Sequence, residues 1–319
     1  MDRAAPGGRG GWALPATALA GAACGALLAA GVLRRQERRR RASLDIGSCA
    51  SAASGSHAVA AGAVPWGEAS GSPFPLAFNG RRALVTGAGG GIGRAIAVRL
   101  AQHGAEVAAV DRDATALETL REELPDKVTP FACDLQDLDA LKQTAEQIGS
   151  VDFLVNVAGV AIFQQFFDGT PEVWDKTMDI NARATWFLCQ QVARGMVTRG
   201  GGSIVNISSQ SSSVVVSDRH LAYSTSKAAV DHITRSAAIA LAKHNVRVNA
   251  VNPTVVRTEL AVNAHGEEGL ARMAAKVPLG KICQPNDVAD TVLFLLSDRA
   301  AMITGVTLPV DGGFLAART

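Results

Sequence analysis

The sequence predicts an α/β fold: one doubly wound domain built on a seven-stranded parallel sheet, preceded by an N-terminal extension that is not part of that domain. Three observations predict it. Short apolar runs of strand type alternate with longer helical patterns from about residue 78 onward. The runs are mostly apolar, as strands covered on both faces are. A glycine-rich turn joins the first run to the first helical pattern, and the polar residues of chemical interest fall at run ends, where such sheets bind ligands.

The strand-type runs lie near 82–86, 106–110, 128–133, 151–156, 202–207, 246–251 and 305–310. Helical patterns lie near 92–103, 113–123, 137–148, 171–195, 222–243 and 286–297. Strands separated by helices make a parallel sheet with helices on both faces. The first run, Ala83-Leu84-Val85, enters Thr86-Gly87-Ala88-Gly89-Gly90-Gly91-Ile92-Gly93. Ile92, Ile96 and Leu100 then form one helical stripe. Glycines there permit a tight turn and let backbone N–H groups approach a pyrophosphate at the helix N-terminus. Between a strand and a helix, such a turn is a dinucleotide site. The second run, Val107-Ala108-Ala109-Val110, ends at Asp111, about twenty residues on. A carboxylate there accepts both hydroxyl protons of an adenosine ribose and repels a 2′-phosphate. The reading is NAD in preference to NADP, softened by the adjacent Arg112.

The chain's one tyrosine, Tyr223, stands four residues before Lys227. At that spacing a phenol and an ammonium share a helix face, about 5–6 Å apart at Cβ. The positive charge is expected to lower the tyrosine pKa, making the phenol a general acid/base near neutrality.

In this order, Thr86-Gly87 to Gly93, Asp111, Asn156-Val157-Ala158-Gly159, a serine at a strand end and Tyr223-Ser224-Thr225-Ser226-Lys227 resemble the short-chain dehydrogenase/reductase family. The likeness runs from about Phe78 to Phe314. Arg247-Val248-Asn249-Ala250-Val251-Asn252-Pro253-Thr254-Val255-Val256 and Pro278-Leu279-Gly280-Lys281 resemble its L-xylulose (dicarbonyl) reductase branch, as do Leu293 to Arg299 and Thr307 to Val310. The resemblance implies a Rossmann-like domain that transfers hydride between a nicotinamide cofactor and a secondary alcohol or ketone. It implies catalytic Asn181, Ser209, Tyr223 and Lys227. Asn181 would position a water that links Lys227 to solvent. Cofactor contacts carried over by motif are Gly87, Gly91, Ile92, Gly93, Asp111, Asp134, Asn156, Tyr223, Lys227, Val256 and Thr258. Substrate contacts are Ser209, His220 and Tyr223, and a homotetramer is the assembly implied. Ser209 lies one residue farther from Tyr223 than in that branch, so Ser208 stands as its alternative. Val157 replaces a second asparagine and Thr254 a glycine. Gly90 and Asp111 stand where NADP-using members of the branch recognise phosphate.

The segment 257–277, with Gly266 and Gly269 as hinges, is expected to lid the substrate. Its Glu259, His265, Glu267 and Glu268 suit a sugar, polyol or small dicarbonyl. Phe163, Phe166 and Phe167 could equally line an apolar mouth. Two other readings are a cofactor-binding scaffold or sensor without turnover, and sugar-nucleotide epimerisation. The complete Ser, Tyr, Lys and Asn set argues against the first, and the compact C-terminal end against the second.

An apolar content of 48% supports a large core, and a net charge of +2 reflects six arginines crowded into residues 34–41. No basic-aromatic stripe points to nucleic acid. Five scattered cysteines without a Cys-x-x-Cys pair argue against a disulfide framework or a metal site. Residues 1–41 form a hydrophobic segment with an arginine cluster, 42–77 a flexible linker and 78–319 the catalytic domain. The 18 residues after Pro15 that carry no charge would span about 27 Å as a helix, and arginines beside a span stay cytoplasmic. The favoured reading is a membrane anchor with a cytosolic catalytic domain. Targeting to the mitochondrion or another organelle is the alternative, and a secretory signal or an unstructured segment also stands.

Overall fold

A computed structural model describes residues 76–318 of the chain. The apolar run at 12–33, the arginine cluster and nearly all of the expected linker lie outside the described residues. No described helix is long and apolar enough to cross a membrane.

Seven strands form one sheet: β1 Arg82–Thr86, β2 Glu106–Asp111, β3 Val128–Ala132, β4 Phe153–Asn156, β5 Gly202–Ile207, β6 Val246–Pro253 and β7 Thr307–Val310. The order is β3-β2-β1-β4-β5-β6-β7, and every adjacent pair is parallel. The chain winds outward from β1 in one direction and from β4 in the other. The crevice of such a sheet opens beyond the C-terminal ends of β1 and β4. Thr86, Asp111, Asn156 and Ile207 each end a strand on that edge.

The helices are α1 Gly91–Gln102, α2 Ala114–Glu123, α3 Leu138–Ile148, α4 Pro171–Met178, α5 Ala184–Thr198, α6 Leu221–Leu241, α7 Glu259–Ala274 and α8 Pro285–Leu296. Successive strand residues serve opposite faces. Ala83 and Val85 join Ile96, Leu100, Leu117 and Val292 in one core, while Leu84 joins Leu141, Leu188 and Ile204 in the other. That double burial is why β1, β2 and β4 carry no polar alternation. Phe78 starts the packed domain: its backbone N–H donates to His103 O at 2.8 Å, and its ring meets Phe153 edge-on at 5.2 Å.

Local sequence sets the helix starts. Asp113 accepts from Ala116 N, Asp137 from Asp139 N and Ala140 N, and Thr170 from Val173 N. Each takes up N–H groups that the first turn leaves without partners. At the other end of α8, Arg247 donates to Leu295 O at 2.6 Å and to Leu296 O and Ser297 O at 3.0 Å. One guanidinium on β6 thus caps several orphan carbonyls.

Two elements differ from the sequence expectation. The expected helix over 171–195 is interrupted by a π-turn, Asp179–Arg183, in which Ala184 N donates to Asp179 O. The expected lid is largely helical, as α7. Gly266 breaks that helix at φ 62 and ψ 173, but Gly269 is buried within it. A Cβ at Gly269 would lie 2.9 Å from His265 Cβ, so this glycine is a packing residue rather than a hinge.

Candidate active site

The long helix α6 carries both Tyr223 and Lys227, and Lys227 Nζ lies 5.9 Å from the Tyr223 ring centroid. Lys227 is buried and donates to Ile207 O, the last carbonyl of β5, at 2.9 Å. Burial pushes its pKa down to about 8, opposed by the charge of Asp231. For Tyr223, burial raises the pKa, and a hydrogen bond with the Ser209 side chain opposes the rise. The expected lowering by Lys227 is therefore not found in the chain by itself. Its ammonium is directed at a strand carbonyl, and removal of water from the phenol is the larger effect.

The two candidate serines separate cleanly. Ser208 Oγ donates to Lys227 O at 2.9 Å and is consumed in packing the strand end on α6. Ser209 is the one whose side chain lies near enough to Tyr223 to lower its pKa. Its Oγ also accepts from Ser211 N at 3.1 Å, which fixes it at the mouth of the loop.

Asn181 sits in the π-turn and is 1% exposed. Its Nδ2 donates to Val160 O and Ser226 Oγ at 2.9 Å, and its Oδ1 accepts from Val160 N at 2.8 Å. The side chain thus pins the loop after β4 to the middle of α6. Gly159 lies against this junction: a Cβ there would stand 3.1 Å from Asn181 Oδ1 and 3.4 Å from Lys227 Nζ.

His220 precedes the first residue of α6 beside Tyr223, without a side-chain capping bond, and the ring centroids are 6.3 Å apart. Phe163 packs on both rings, at 4.2 Å from His220 and 5.9 Å from Tyr223. Burial, and then the charge of Arg219, hold the His220 pKa below its usual value. Its Nδ1 is buried and has no hydrogen-bond partner among the described residues. Phe166 and Phe167 do not join this wall; they are 64% and 94% exposed. Phe166 instead rims a groove of about 620 Å³ that His220, Leu221, Ser224 and Thr225 also line.

Of the residues expected to hold the cofactor, Ile92, Asp111 and Thr258 lie at the glycine turn. Gly87 has φ 66, and a Cβ on it would meet the Ala158 backbone at 3.0 Å. A Cβ on Gly93 would stand 2.0 Å from Gly87 O, so no other residue fits where α1 leaves the turn. Ile92 is half-buried and packs on the core beneath the turn. Gly91 faces Thr258, whose Cγ2 would lie 3.0 Å from a Cβ placed there. Thr258 caps α7 by accepting from Ala261 N, and Val256 beside it bridges in parallel to Cys283. Asp111 Oδ2 accepts from Gly89 N at 3.0 Å and its Oδ1 from Asp113 N at 3.1 Å. The carboxylate is thereby held against the glycine turn with lone pairs to spare. Asp134 is exposed just beyond β3 and accepts from Gln136 N at 3.0 Å. Asn156 is different. Its side chain turns inward and donates to Asn206 Oδ1 at 2.8 Å and Cys189 Sγ at 3.3 Å. Bare backbone N–H groups at a helix N-terminus beside a fixed strand-end carboxylate fit a dinucleotide.

Sequence reasoning missed Thr86, whose buried Oγ1 accepts from Val157 N at 3.0 Å and Ala158 N at 3.2 Å. It ties the end of β1 to the loop after β4 and so sets the crevice width. A threonine at a strand end carries no such signal; the contact exists only once β1 and β4 pair.

A family profile described as enoyl-(acyl carrier protein) reductase matches residues 87–315. The mouse (Mus musculus) L-xylulose reductase is 46% identical over 243 residues, 76% of this chain and 99% of that protein. The pig (Sus scrofa) carbonyl reductase [NADPH] 2 is 44% identical, over 75% of this chain and 98% of its own length. The D-threitol dehydrogenase of Mycolicibacterium smegmatis is 40% identical, over 76% of this chain and 95% of its own. A solved structure titled as a short chain dehydrogenase/reductase family protein superposes with a TM-score of 0.70 at 37% identity, covering 75% of this chain and 99% of the other. With its sheet order, its glycine turn and these likenesses, the chain belongs to the short-chain dehydrogenase/reductase family and is a nicotinamide-cofactor-dependent oxidoreductase.

Proposed function

We propose that the chain transfers hydride between NAD, in preference to NADP, and the secondary alcohol or ketone of a sugar, polyol or small dicarbonyl. The observation that carries this reading is the pairing of Tyr223 and Lys227 on one face of α6, with Nζ 5.9 Å from the centroid of the phenol ring, and Ser209 near enough to the phenol to lower its pKa. A nicotinamide ring supplies or accepts the hydride when bound. The chain's own residues do the rest. Ser209 donates a hydrogen bond to the substrate oxygen and stabilises the charge that develops there. Tyr223 gives its phenolic proton to that oxygen on reduction and takes one back on oxidation. Lys227 holds positive charge beneath the phenol. Both amide hydrogens of Asn181 are engaged and its backbone carbonyl accepts from Thr185 Oγ1 at 2.8 Å, so a water leading from Lys227 to solvent would use a remaining lone pair on one of its two oxygens.

Asp111 supports the choice of cofactor. Two backbone N–H groups fix its carboxylate at the ribose end of the cleft, where a second phosphate would meet like charge. Arg112 is exposed beside it. One relative is named for NADPH, so here the chain is proposed to differ from it. The substrate class draws support from relatives named for L-xylulose and D-threitol and from His220. Held below its usual pKa by burial, His220 is neutral near pH 7 and suited to bond a polyol hydroxyl. A homotetramer and a membrane-anchored extension are proposed on the sequence alone.

The test is a panel of ketoses, polyols and dicarbonyls assayed with NADH and NADPH, and with their oxidised forms. Turnover of sugar-type substrates with higher kcat/KM for the NAD pair is expected. Cofactor binding without turnover across the panel would refute the reading and leave a sensor or scaffold.

A further inference from the structure

A buried acid lies one helical turn beyond Lys227. Asp231 is on the same face of α6 and is 6% exposed. Its Oδ2 accepts from Asn252 Nδ2 on β6 at 3.4 Å. The same amide donates to Ser212 Oγ at 2.9 Å, and that hydroxyl donates to Ser209 O at 2.8 Å. A chain of neutral groups therefore joins Asp231 to the loop that carries Ser209. The other carboxylate oxygen, Oδ1, is buried without a hydrogen-bond partner among the described residues.

An interior carboxylate with so few donors is costly unless positive charge compensates it. A simple brace between α6 and β6 would be made as well by an amide. What an amide cannot supply is the charge. The buried cation on this helix face is Lys227, whose Nζ is drawn forward to Ile207 O rather than back into a contact pair, while Arg235, one turn beyond Asp231, is exposed. We propose that Asp231 is a positioning residue for the reaction: its charge keeps the Lys227 ammonium protonated under the Tyr223 phenol, while Asn252 and Ser212 relay its position to the Ser209 loop.

The surroundings of Lys227 agree. Burial drives its pKa down to about 8, and Asp231 is the charge that opposes the fall. On α6 the titratable groups near it are Tyr223, 5.9 Å from ring centroid to Nζ, and Asp231. The neighbouring elements turn neutral groups toward it: the Ile207 carbonyl of β5, Asn181 of the π-turn and Gly159 of the loop after β4. Asp179 and Arg183 of the π-turn pair with each other at 3.2 Å. Asn252 of β6 reaches the acid, not the lysine.

This inference rests on the reading of Tyr223 and Lys227 given above, and its test separates the two. The kcat/KM for ketone reduction would be measured against pH for the full chain, for Asp231→Asn and for Asp231→Glu. Asp231→Asn keeps the shape and the bond to Asn252 but removes the charge. Its alkaline limb is expected to fall by about 1 pH unit, with cofactor KM little changed, and Asp231→Glu is expected to bring the limb back toward the original. If Asp231→Asn fails to fold by circular dichroism, Asp231→Ser takes its place, with the same shift expected. A uniform loss of kcat with the limb unmoved would overturn the inference and leave a structural brace. So would a wild-type profile. Turnover by Tyr223→Phe, measured in parallel, would instead take down the reading of the site itself.

Discussion

Burial and hydrogen bonding pull the Tyr223 phenol in opposite directions, and burial is the larger effect. Reduction uses the protonated phenol and is expected to hold through neutral pH. It should then fall above about pH 8, where Lys227 loses its proton. Oxidation needs the phenolate and should rise with pH until the same loss intervenes. Initial rates in both directions from acid to alkaline pH check this; reduction that quickens with pH would contradict it. At Asp111, replacement by Ala removes a charged acceptor for ribose hydroxyls, worth about 1.5–3 kcal/mol. NADH KM is expected to rise by about 10- to 100-fold while NADPH is used relatively better. An unchanged preference would remove Asp111 from cofactor choice. His220→Ala should raise substrate KM more than it lowers kcat, because a neutral imidazole binds without taking the reacting proton; steady-state kinetics with a polyol decides it.

At the scale of elements, the strands and the motifs at their ends were legible because the strands are mostly apolar runs and each motif sits at a fixed place on the sheet edge. What was not legible depends on partners distant in sequence. The π-turn reads as ordinary helix, since its wider bond pattern leaves no periodic trace over five residues. Helix α7 was hidden by its glycines and charges, which read as loop. Asn156 occupies a motif position, yet its amide is spent on Asn206 and Cys189, both unknown until β4 meets β5 and α5. The choice between Ser208 and Ser209 needed the geometry of α6. Arg247 gave no signal either, although it closes the end of α8. Replacing it by Ala strips several carbonyls of a charged donor and should cost about 2 kcal/mol, read as a lower urea midpoint with an unchanged slope.

For the whole molecule, the sheet order explains why residues as far apart as Gly87, Asp111, Ser209 and Thr258 share one edge. The crevice at β1 and β4 gathers the glycine turn and Asp111, while β5, α6 and the π-turn bring Ser209, Tyr223, Lys227 and Asn181 beside it. The packed domain is held at its start by Phe78 and His103, so a chain lacking residues 1–75 is expected to keep its melting temperature and kcat. A large loss of either would make the extension part of the fold. The most direct test of the account is Tyr223→Phe, which deletes one hydroxyl and keeps the ring against Phe163. Turnover is expected to fall by about 10²- to 10⁴-fold, with dinucleotide affinity retained by titration. Turnover within a few-fold of the unaltered protein would contradict the assignment of Tyr223 as the group that exchanges the proton.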